Sequence, residues 1–175
     1  MFTLNILAPR SPTFFDSSSY SVLDNKIISN LAEKITEEYY AEDKGAIKRW
    51  GPEGKKRVLE DTVFTLQHLS SAVFADDLNL FLNYFKWLIV VLTSRQIKLD
   101  FILIHTQIMI DILDIENKNK KIMMKDSNEG KKRRQLQQQQ QQTLQKCIIY
   151  LKKGRSLLAR TRKNPKIIEN FSYHI

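Results

Sequence analysis

Residues 49–92 read RWGPEGKKRVLEDTVFTLQHLSSAVFADDLNLFLNYFKWLIVVL, a turn followed by two consecutive helices that together hold both tryptophans of the chain. Gly51-Pro52-Glu53 is a helix start: proline suits the first helical position, and acid suits the positive end of the helix. Beyond it Leu59, Val63, Leu66, Ser70 and Val73 recur at helical spacing, with Val58 and Leu69 widening the stripe. Asp76 and Asp77 then form a stop-and-restart signal, each able to cap the helix that follows. That third helix, residues 78–95, is apolar nearly all round, and only Asn79, Asn83 and Lys86 make a polar stripe before its last turn. A helix of this kind must be covered on most sides, so it is predicted at the centre of a bundle. At fifteen interrupted positions its apolar part is too short to cross a bilayer.

The same period extends outward on both sides. Ile27, Ile28, Leu31, Ile35 and Tyr39 predict a first helix from about residue 21 to residues 41–45, with Asp24 or Ser21 as its cap. Residues 1–20, with Pro9, Pro12 and three serines, read as a flexible lead whose Phe14 and Phe15 tuck against the body. A fourth helix is expected over residues 99–116, with Phe101, Ile104, Ile108, Ile112 and Ile115 inward and Asp100, Gln107, Asp111 and Asp114 outward. Residues 117–143 read as a low-complexity linker ending in a glutamine run. A basic amphipathic helix follows over 144–164, weakened by Gly154 and stopped by Pro165, and residues 165–175 are a tail. The fold class is therefore all-α: a bundle of four or five helices plus a basic C-terminal helix.

Composition agrees. Only 5 Gly and 4 Pro in 175 residues leave little room for a turn-rich β fold. The single Cys147 excludes an intrachain disulfide framework and fits a reducing, cytoplasmic setting. The opening MFTLNILAPR lacks the basic start and long apolar core of a secretory signal. The net charge of +9 divides into −4 over residues 1–116 (12 basic, 16 acidic) and +13 over residues 117–175 (16 basic, 3 acidic). Polyanion binding, to nucleic acid or an anionic membrane surface, therefore belongs to Lys131–Lys163 if it occurs at all. Its lone Tyr150 offers little stacking to single strands, and a solvated tail is the plainer reading.

Chemistry-bearing residues are sparse. His68, His105 and His174 lack metal-ligand spacing. His105, on the apolar side of the fourth helix, reads as a core or interface histidine, with a tetrapyrrole ligand as the sharper alternative. Cys147 is either incidental or a bilin attachment point, Lys146 beside it favouring the thiolate. Glu60-Asp61 and Asp76-Asp77 point about 100° apart as helix neighbours, so neither pair shares a substrate. Asp61 is expected to brace the Trp50–Gly51 turn by a hydrogen bond. No phosphate loop, nucleophile elbow or Cys-x-x-Cys occurs, which disfavours an enzyme.

LAEKITEEYYAE, IKRWGPEGKKRVLEDTVFTLQHLSSAV and DDLNLFLNYFKWLIVVLTSR, within residues 31–115, resemble the helical module that precedes the cobalamin-binding domain of bacterial regulatory proteins. Trp50, Gly51, Gly54, Leu59, Glu60, Asp61, Leu66 and Leu69 occupy the places of its aromatic-glycine turn and leucine-glutamate-aspartate step. The acidic break at Asp76–Asp77 and the aromatic Phe81, Tyr84 and Trp87 follow in the same order. The aspartate-x-histidine-x-x-glycine motif of the cobalamin domain is absent, and Thr65 stands where a histidine is expected in the second helix. The resemblance thus implies a stand-alone helical sensory or interaction module without cobalamin, with a globin-like arrangement as one form.

The expected function is non-enzymatic, without a cofactor, and acts through a protein partner or a homodimer. The partner surface is expected at Trp50, Phe81, Tyr84 and Trp87, with Lys152, Lys153 and Arg155 adding electrostatic attraction. The alternative is a sensor holding a tetrapyrrole-like or other apolar cofactor, with His105 or Cys147 as anchor.

Overall fold

The computed structural model describes residues 21–126 and 131–172, and all of their regular structure is helical. Six helices are present: α1 (Asn25–Glu42), α2 (Ala46–Phe74), α3 (Leu78–Ser94), α4 (Leu99–Asp126), α5 (Lys131–Lys163) and α6 (Lys166–Ser172). The chain is an all-α bundle, as the periodicity predicts. The lead at residues 1–20, Phe14 and Phe15 within it, and His174 lie outside the described residues.

The starts of the helices follow from local chemistry. The Asp24 carboxylate accepts from the Ile27 N–H at 2.8 Å and caps α1. Asp77 does the same for α3, accepting from Asn79 N–H at 2.8 Å. α2 is kinked at Gly51, whose φ of 64° and ψ of −173° suit glycine almost alone. The extended ψ is also what the following Pro52 requires. The kink turns Trp50 back onto α1, where it lies parallel to the Tyr39 ring at 6.3 Å between centroids. It also meets Phe101 of α4 edge-on at 5.1 Å. Ahead of α1, the Ser21 hydroxyl donates to Leu23 O, so Ser70 of α2 must donate to Ser21 and accept from Leu23 N–H at 2.9 Å. This ties the start of the described chain to the bundle.

α4 and α5 make the most extensive packing in the molecule, α1 lies against α2 and α4, and α6 closes on α3. The core joins Ile28, Leu31 and Ile35 of α1, Leu66 and Leu69 of α2, Phe81 and Phe85 of α3, Leu113 of α4, and Leu144, Ile148, Leu151 and Leu158 of α5.

Four expectations need correction. The stretch 117–143 is not a linker: α4 runs on to Asp126 and α5 begins at Lys131, with the glutamine run inside it. Glutamine is a fair helix former, and amides join the two helices, Asn117 Nδ2 donating to Gln145 Oε1 at 3.0 Å. Part of the tail is helical, as α6. α3 is not the bundle centre, because only Phe81, Phe85, Leu88 and Ile89 are buried on it and Leu80 is exposed. Finally, of the face expected inward on α4, Ile108 is buried but Ile104 and Ile115 are exposed, and the buried face also takes in Ile102, Thr106, Met109, Leu113 and Asn117. Isoleucines on several sides of α4 gave its hydrophobic period no single phase. Among the described residues no helix is long and apolar enough to cross a membrane.

Candidate functional site

A cavity of about 350 Å³ lies between α1, α2, α3 and α4, with Trp50, just before the kink of α2, in its wall. Its walls are Tyr39 of α1, Trp50, Val58 and Thr65 of α2, Phe85, Leu88 and Leu92 of α3, and Phe101, Ile102, His105, Thr106 and Met109 of α4. Aromatic and aliphatic carbon dominates this lining. Glu53, Arg57 and Arg95 also line it and are exposed, so they stand at its mouth, with the half-buried Asp61 behind them.

Two threonines of α2 order the polar groups of the site. Thr62 Oγ1 donates to Val58 O at 2.6 Å and lies 2.9 Å from His105 Nε2. A hydroxyl has one proton, and the carbonyl takes it, so His105 Nε2 must donate to Thr62. The imidazole is thereby held in its Nε2–H tautomer, and Nδ1 is a bare acceptor. One turn on, Thr65 Oγ1 donates to Asp61 O at 2.8 Å and lies 3.0 Å from the Tyr84 hydroxyl. By the same count Tyr84 donates to Thr65. The pair fastens α2 to α4 and to α3 with one directed bond each.

Burial sets the protonation states. Desolvation pushes the His105 pKa down to about 4, so the ring is neutral near pH 7. Burial raises Tyr84, despite the bond to Thr65. Asp61 is raised by desolvation, against the opposing pull of Arg95.

The expected site residues fall in different places. Trp50 and His105 do share the cavity. Cys147 does not: it is fully buried in the core on α5, away from that lining, and burial pushes its thiol up to about 12. The expected thiolate is overturned, because Lys146 pairs with Asp76 at 2.5 Å instead. Asp61 does not brace the Trp50–Gly51 turn: it lies on the cavity wall, and its neighbouring charges are Arg95, Glu60 and Arg57. The turn is braced by Arg49, which ion-pairs with Asp43 and stands 4.9 Å over Trp50 and 4.6 Å over Phe101.

Phe81 is fully buried and so forms no open partner surface, while Tyr84 is half-buried with its hydroxyl bonded to Thr65. Trp87 is half-buried, 5.9 Å from the Tyr84 ring. Lys152 and Lys153 are exposed, whereas Arg155 is half-buried with its Nε enclosed and without a hydrogen-bond partner. Thr62, Leu88 and Met109 are site residues that the sequence reading passed over, and Thr65 was noted there only as standing in a histidine's place. Among the described residues, no cluster of His, Cys, Asp or Glu is placed to hold a metal ion. No family model, curated protein or solved structure matches the chain.

Proposed function

We propose that the chain is a non-enzymatic helical sensory module that holds a small apolar molecule between α2, α3 and α4 and acts on a protein partner. The observation that carries this is the cavity of about 350 Å³ with a carbon lining and few convergent polar groups, the usual character of a small-molecule site. Its volume lies at the low end for such sites, which favours a one- or two-ring molecule over a tetrapyrrole. The likeness of residues 31–115 to a regulatory helical module points the same way. Ligand occupancy would act on the kinked half of α2, the segment with Trp50 at its end.

Toluene is a suitable first probe. Titration is expected to shift the indole N–H resonance of Trp50 saturably and leave that of Trp87, outside the cavity lining, in place. A Trp50 signal indifferent to toluene and to larger aromatics would remove the ligand reading.

A second reading has its own support. Between Lys131 and Lys163 there are 11 basic and no acidic residues, and Lys152, Lys153, Arg160 and Lys163 are all exposed. A polyanion-binding face on α5 follows from that charge. Deleting α5 would not test it, because Leu144, Ile148, Leu151 and Leu158 belong to the core. Instead, a Lys152→Glu/Lys153→Glu protein should elute from heparin at clearly lower salt than the parent. Unchanged elution would discard this face as the source of any polyanion affinity.

A further inference from the structure

We infer that the cavity selects a neutral aromatic molecule that carries one hydrogen-bond donor, of the indole or phenol class, and that His105 Nδ1 receives that donor. The inference rests on the ligand-site reading above and adds the chemistry of selection.

Among the threonine and histidine groups that α2 and α4 bring to the cavity, one acceptor is left uncommitted. Thr106 Oγ1 donates to Ile102 O at 2.7 Å. Thr65 donates to Asp61 O and accepts from Tyr84. His105 gives its only proton to Thr62, so the ring presents a lone pair at Nδ1 with no protein donor on it. A molecule that fills the apolar space and expels water leaves this acceptor unsatisfied unless the molecule itself donates. A site that hydrogen-bonds a ligand group discriminates strongly against an isostere lacking it.

Charge argues for neutrality. Arg57 and Arg95 are offset at the mouth by Glu53 and Asp61, so neither an anion nor a cation is favoured overall. Shape argues for a flat ring. Tyr39 stands edge-on to His105 at 5.4 Å between centroids, and Trp50 and Phe101 supply further aromatic surface.

Calorimetric titration of the intact chain with indole and with 1-benzofuran, its isostere without the N–H, separates the possibilities. Indole is expected to bind about tenfold more tightly, and His105→Leu should bring the two close to parity. Equal affinity for both in the parent protein would overturn the donor inference while leaving the ligand site standing. Toluene and both bicyclic probes failing to bind would remove the site, and the inference with it. A ratio that persists in a folded His105→Leu protein would place the acceptor elsewhere and overturn the assignment. Should that variant not fold, His105→Phe, a ring without an acceptor, takes its place, and the parent ratio remains decisive by itself.

Discussion

Phe81→Ala is expected to lower the unfolding free energy by about 3–5 kcal/mol, measured by urea denaturation followed by helical circular dichroism. The ring is fully buried and lies 5.3 Å from Phe85 and 6.5 Å from Tyr84 between centroids. Across from it is Gly154 of α5, where a Cβ would sit 3.0 Å from Phe85 Cδ1 and 3.2 Å from Phe81 Cε1. Emptying the ring's space therefore opens a hole at the contact of α3 with α5, and a glycine backbone cannot extend a side chain into it. The loss combines lost burial with a cavity that relaxes only in part. The sequence reading placed Phe81 on a partner surface. A stability change below about 1 kcal/mol, the size usual for surface substitutions, would restore that view.

The same contact shows what could and could not be read from the chain alone. The beginnings of α1 and α3, and a helix start at Gly51-Pro52 where α2 in fact kinks, were legible because capping and proline rules act on a few adjacent residues, Asp24, Gly51-Pro52 and Asp77 among them. The packing of α5 was written in a longer pattern. Leu144, Leu151 and Leu158 are buried at seven-residue intervals, and so are Cys147, Gly154 and Thr161. Taken singly, the cysteine read as an incidental thiol and the glycine as a weak spot, and the threonine carried no signal. Taken together they are the small positions of a heptad seam, through which α5 approaches its neighbours.

The candidate site was half visible. His105 and Trp50 stood out by type, and the aromatic density around them was evident. Thr62 did not stand out, and Thr65 did so only as a departure from an expected histidine, since threonine in a helix is unremarkable until its back-bond to the preceding turn is known. Their role depends on which helices cross above them, and that is tertiary information. α4 was harder still. With isoleucine on several sides, the side chosen for burial was set by α5, not by periodicity within α4.

His105 should make the fold sensitive to acid, with a sign that follows from its surroundings. The ordinary imidazole value is 6.5, and in the fold it is pushed down to about 4 by desolvation, with no neighbouring charge offsetting it. The unfolded chain therefore takes up a proton near pH 6.5 that the folded chain refuses until about pH 4. The contribution is fully present above about pH 6.5 and is lost as pH falls through that window, amounting to about 3 kcal/mol. Protonation also puts a second donor on the ring at Nδ1, where nothing in the protein accepts it. Asp61 opposes the trend, because its raised pKa favours the fold as it is protonated, while His68 acts in the same sense as His105. The two contributions are separated by subtracting the pH–stability profile of His105→Gln, which leaves Asp61 and His68 in place. The parent profile should be the steeper between pH 6.5 and 4, and an NMR titration should find the His105 ring neutral at pH 5. A ring titrating at its ordinary 6.5 would mean that cavity water solvates the imidazolium, and that burial in the wall does not hold its pKa down.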